Sequence, residues 1–125
     1  MSSLRTWTIG ALLALSALVP AASTSASAGD GDLGERLRLA CLRIPTAQTR
    51  VSTLITRLEG PADVKGSLAW FRARIAEATS ANHPLIAQEL QHRLDFLTAR
   101  LVLLHQQQDR LGRAADHCRS RGVAI

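Results

Sequence analysis

Two cysteines, four histidines and four evenly spaced arginines carry most of the chemistry this 125-residue chain offers. Cys41 and Cys118 lie 77 positions apart and form no C-x-x-C pair, which argues against a dithiol redox centre. An even cysteine count in an exported chain reads instead as one disulfide. Closing so long a loop stabilises a fold by roughly 4 kcal/mol in the chain-entropy picture. His83, His92, His105 and His117 are spaced by 9, 13 and 12, so none makes the i, i+4 pair of a helical metal site. The sequence holds no G-x-S-x-G elbow and no Gly-rich phosphate loop. No catalytic residue, metal or cofactor is therefore expected, and the chain does not read as an enzyme.

The arginines are the one patterned surface feature. Arg36, Arg43, Arg50 and Arg57 recur every seven residues, and Arg93 and Arg100 repeat likewise further on. A basic stripe of this kind attracts anionic envelope polymers, anionic lipid headgroups or an acidic partner. The plainer reading is a solvated face, since outer heptad positions normally carry charge. Nucleic acid is a poor choice of partner, because no aromatics interleave with the arginines.

Residues 1–28 read as a secretory signal peptide. Arg5 gives the positive start, Ile9 to Val19 the apolar stretch, and Ala26-Ser27-Ala28 an A-x-A cleavage site. The stretch is too short to span a bilayer, which takes ~20 residues. Leu39-Ala40-Cys41 fails as a lipidation box, because Arg38 stands where that motif wants Leu. Residues 29–125 are then a single helical domain, secreted or held in the cell envelope, with no transmembrane span after cleavage. The whole chain has a formal net charge of +5, and Arg5 leaves with the signal. The apolar share of 46% excludes full disorder.

The elements that must position these residues are helices. From Ala87 to Cys118 the positions Leu90, Leu94, Leu97, Leu101, Leu104, Gln108, Leu111 and Ala115 alternate steps of three and four, an a/d seam. Pro84 suits its first turn and Gly122 its stop. Leu37, Cys41, Ile44, Gln48, Val51, Ile55 and Leu58 form a second seam. Asp32 and Glu35 fit a capping box at its start, Gly60-Pro61 ends it, and Pro45 predicts a kink within it. A shorter helix follows, with Val64, Leu68, Phe71, Ile75 and Ala78 on its seam, and ends near Ser80.

The cysteines choose between topologies. An up-down-up, compact three-helix bundle puts Cys41 and Cys118 tens of ångströms apart, while a disulfide needs Cα atoms within ~7 Å. Stacking the first two helices end to end against the third brings the cysteines together. The midpoint between them falls beside the turn signal Ser80-Ala81-Asn82-His83-Pro84. The expected fold is all-α, a long antiparallel helical hairpin closed by Cys41–Cys118, with the compact bundle as the alternative. Antiparallel register pairs Ile44 with Ala115, Val51 with Gln108, Ile55 with Leu104 and Phe71 with Ala87. Gln48 and Gln108 are the polar seam positions, of a kind that fixes register.

A hairpin leaves apolar residues over. Trp70, Phe96, Val102 and Leu103 fall outside the seam, as do Leu39, Leu42 and Leu54. Either a thicker bundle, a homodimer or a protein partner must cover them. Trp70, Phe96 and Leu103 are the expected contacts, because large apolar anchors dominate interface energies.

Ala40-Cys41-Leu42-Arg43-Ile44-Pro45, Gly66-Ser67-Leu68-Ala69-Trp70 and the late Cys118 before Gly122 give a layout that resembles small exported all-helical proteins of GC-rich bacteria, a group without an assigned activity. The resemblance implies a fold and an address, and carries no functional residue. The expected function is thus an exported structural or protein-interaction module. One alternative is an anion-binding envelope-surface protein using the arginine stripe. A further one is a periplasmic chaperone-like or inhibitor helix pair working through its Ser80–Pro84 tip.

Overall fold

Local chemistry sets three helices in order along the chain: α1 (Asp30–Leu58), α2 (Leu68–Ser80) and α3 (Pro84–Ser120). The computed structural model describes residues 30–125, so the signal-peptide reading of residues 1–28 lies outside the described residues. α3 has 37 residues, about 55 Å at 1.5 Å per residue. Its start needs no N–H at Pro84, which occupies the first turn. Its end is a Schellman motif: Val123 N–H donates to the Cys118 carbonyl at 3.0 Å and Gly122 N–H to that of Arg119 at 2.9 Å. Gly122 supplies the left-handed φ of +78° that this closure requires.

The same device makes the α2–α3 turn. His83 N–H donates to the Ala78 carbonyl at 2.8 Å and Asn82 N–H to that of Thr79 at 3.1 Å. Asn82 takes the left-handed conformation, with φ 58°. Pro84 cannot extend this turn as helix backwards, so α3 leaves in the opposite direction. The expected turn signal and the observed turn coincide.

α3 packs against α1 and α2 along successive stretches of its length. The expected hairpin is the observed fold, and the compact bundle is not. Three apolar clusters mark it. At the open end, Cys41 and Ile44 meet Ala115 and Cys118. In the middle, Val51, Ile55 and Leu58 meet Leu104. Towards the turn, Leu68 and Phe71 meet Leu94. The Cys41–Cys118 disulfide, with Cα atoms 5.9 Å apart, closes the open end.

Four local expectations are corrected. α1 begins at Asp30, so Asp32 and Glu35 lie inside it and form no capping box. They pair instead with Arg36 at 2.9 Å and Arg38 at 3.2 Å, on the helix surface. α2 begins at Leu68 rather than near Val64, because Ser67 is the better cap. Ser67 Oγ accepts from Trp70 N–H at 3.0 Å and donates to the Pro61 carbonyl at 2.8 Å. Residues 59–67 form tight turns, and Gly66 there adopts φ +90°.

Gln108 is exposed rather than buried against Val51, whose cluster takes in Leu104 and Leu111. An amide in that apolar seam would need hydrogen-bond partners that the surrounding side chains lack. Leu94 rather than Ala87 is the buried α3 partner of Phe71. α1 continues through Pro45, and the Pro45 carbonyl accepts from Thr49 Oγ1 at 3.0 Å.

Candidate functional site

On α1, Arg43, Ala47, Arg50, Leu54 and Arg57 follow one another at steps of four and three. That spacing makes them a single stripe beside the buried seam. On α3, Phe96, Arg100, Leu103 and Gln107 follow the same rule. Because the helices run antiparallel, both stripes fall on the same flank of the hairpin.

Two adjoining grooves lie between them. One, of about 580 Å³, is lined by Arg43, Ala47, Arg50, Leu54, Arg100 and Gln107 over a floor of Val51 and Leu104. The second, of about 280 Å³, shares Leu54 and Arg100 with the first and adds Arg57, Phe71 and Leu97. The flank is therefore apolar at its floor and cationic along its walls. Among the described residues, Arg43, Arg50 and Arg100 form no ion pair with a carboxylate. Arg57 donates to the Lys65 carbonyl at 3.3 and 3.4 Å, which ties it to the turn after α1.

Leu54 is 38% exposed in the groove. Phe96 and Leu103 line neither groove, and stand 65% and 62% exposed along the Arg100 stripe of α3. Leaving such side chains in water forfeits ~25 cal/mol per Å² of apolar surface that a partner can recover. The opposite flank is richer in hydroxyl and acidic side chains: Thr49, Ser52, Thr56 and Glu59 on α1, and Asp95, Thr98 and Asp109 on α3, with Val102 exposed among them. His105 Nε2 meets Glu59 Oε1 across it at 2.8 Å.

The residues singled out from the sequence thus separate into groups. Arg43, Arg50 and Arg57 share the groove with Arg100, while Arg36 pairs with Asp32 nearer the N-terminus. Phe96 and Leu103 line neither groove and lie further out on the α3 stripe that carries Arg100. Trp70 does not join them: it packs against the cluster near the turn, edge-on to Phe71 at 4.9 Å between ring centroids. The Arg74 guanidinium lies 5.4 Å from the Trp70 ring, a cation–π contact. Trp70 therefore helps to build the α2–α3 end.

Arg100, Leu54 and Gln107 are groove residues that seam counting alone passes over. The signal for them is the second stripe of three-and-four steps beside each seam. The pair Glu89–Arg93 forms at 2.9 Å, whereas Asp109 and Arg113 are not among the ion pairs of the described residues. No group of three or more potential metal-binding side chains occurs among the described residues, and no described helix is long and apolar enough to cross a membrane. The chain matches no known protein family, no curated protein and no solved structure.

Proposed function

We propose that this protein is an extracytoplasmic docking module that works by binding a partner along the α1/α3 groove and carries out no reaction of its own. One observation carries the reading: Arg43, Arg50 and Arg100 converge without carboxylate partners on a groove that also leaves Leu54 exposed. The signal-peptide reading of residues 1–28 and the Cys41–Cys118 disulfide support the extracytoplasmic address. The disulfide holds α1 against α3 at the open end of the hairpin, which keeps the groove walls in register.

A photo-crosslinking residue placed at Leu54 or Phe96 in the producing cells tests this. The docking reading expects a discrete adduct from those two positions, lost on Arg50→Glu, and none from Thr98 on the opposite flank. Equal adducts from both flanks, or none from the groove, would overturn it. A second reading, adhesion to an anionic envelope polymer, is favoured by the same unpaired arginines. It expects binding that depends on Arg43 and Arg50, falls steeply with salt, and is indifferent to Phe96 and Leu103. The helix-pair inhibitor reading rests on the tip, where Leu85 is 79% exposed. Exchanging the Asn82–Ile86 segment for polar residues is its test.

A further inference from the structure

Resting on that docking reading, we infer that the occupant of the groove is an acidic amphipathic α-helix, laid lengthwise on the hairpin as a third helix. The groove is a trough, open to solvent and parallel to both of its helices. Its two parts share Leu54 and Arg100, so they form one continuous site. Two antiparallel helices packed side by side offer a third helix a seat between them, with side chains of the newcomer filling the furrow.

The charge spacing fits the same occupant. Arg43, Arg50 and Arg57 are seven residues apart, which is about 10.5 Å per interval along a helix. Carboxylates seven residues apart on a second helix have the same interval, so one straight ligand faces Arg43 and Arg50 in register and ends beside Arg57, whose guanidinium is held on the Lys65 carbonyl. Between those charges the ligand's apolar face meets Ala47 and Leu54. Phe96 and Leu103 line neither groove, but they lie four residues before and three after Arg100, so a third helix wide enough to cover Arg100 extends over them.

Other anionic ligands use only part of this surface. A compact anion such as phosphate engages one or two arginines and leaves the apolar edge wet. A flexible polyanion engages the arginines and ignores Phe96 and Leu103. A single-chain lipid has one charged head, whereas Arg43 to Arg57 spans about 21 Å of helix. Only a rod with charge and apolar surface in alternation satisfies both stripes at once.

The test is a titration of the purified, oxidised protein with synthetic 21-residue peptides. One carries Glu at every seventh position beside a Leu seam. A second has the same composition in scrambled order. Inorganic polyphosphate and vesicles containing phosphatidylglycerol are the other probes. The inference expects the periodic peptide to bind at least tenfold more tightly than the scrambled one and to gain helical circular dichroism on binding. It expects Arg50→Glu or Arg43→Glu to weaken that peptide at least tenfold, Phe96→Ser to weaken it severalfold, and Thr98→Glu to change nothing. Equal binding of the scrambled peptide or of polyphosphate would overturn it in favour of a plain anion surface. Preferential binding of the vesicles would overturn it in favour of lipid. If groove crosslinks form in cells but no acidic peptide binds, the helix is wrong and the docking face survives. If neither occurs, both readings fall.

Discussion

Replacing Cys41 and Cys118 together by Ala removes the one covalent tie between the ends of this hairpin. The disulfide closes a loop of 77 residues, and the chain-entropy relation gives about 15 cal/mol/K for that length, or about 4.5 kcal/mol at 25 °C. A domain of this size has about 5–14 kcal/mol of total stability, so the loss consumes a large share. It should also be uneven. The open end is held by a small cluster in which Cys41 and Cys118 are themselves the buried centre, 1% and 3% exposed. The turn end keeps its Schellman closure and the Leu68–Phe71–Leu94 cluster. Urea unfolding with amide hydrogen exchange reads both effects. The expected result is a loss of about 2–4.5 kcal/mol, with exchange accelerating most at residues 41–48 and 111–118. A loss under about 1 kcal/mol, or acceleration centred on residues 78–87, would show that the disulfide does not hold the open end.

The turns between helices make further predictions. Ser67→Ala removes the α2 cap and one of the two hydrogen bonds to the Pro61 carbonyl, leaving that from Val64 N–H; thermal unfolding should show a cost of about 1–2 kcal/mol. Gly66→Ala must hold a non-glycine residue at φ +90°, and the same assay should show it less stable by about 1–2 kcal/mol. Gly112→Ala is opposite in sign: a Cβ there meets nothing within 4 Å inside α3, so helix propensity alone should raise stability by about 0.5–1 kcal/mol. Glu59→Gln disturbs an exposed contact with His105, and the unfolding free energy from denaturant titration should change by less than about 1 kcal/mol.

Much of the architecture was legible because it is written in spacing. The seams of α1 and α3, Pro84, Asn82 and Gly122 each state a local rule, and together with the cysteines they select a hairpin over a bundle. The errors came where two local rules competed. Val64 continues the apolar spacing of α2, but Ser67 caps better and Gly66 turns more easily, so α2 starts later. Gln108 sits on the arithmetic seam, yet burying its amide costs more than a slight change of packing. The groove was half legible. The α1 arginine stripe was visible as a repeat, but its meeting with Arg100 and Gln107 needs the side of the seam on which each stripe lies. Trp70 is half-buried on Phe71 and Arg74 and lines a separate groove near the turn, a placement that depends on the α2–α3 geometry.

The chain is a single closed hairpin with a cationic, partly apolar flank left open for another molecule. Light scattering and small-angle X-ray scattering on the purified, oxidised protein, with the disulfide mapped by mass spectrometry, test it most directly. The prediction is a monomer of no more than 13.5 kDa, with an intramolecular Cys41–Cys118 link and a longest dimension near 55–60 Å, set by the length of α3. A stable dimer in which Phe96 and Leu103 become protected from solvent, or a globule near 30 Å across, would contradict it.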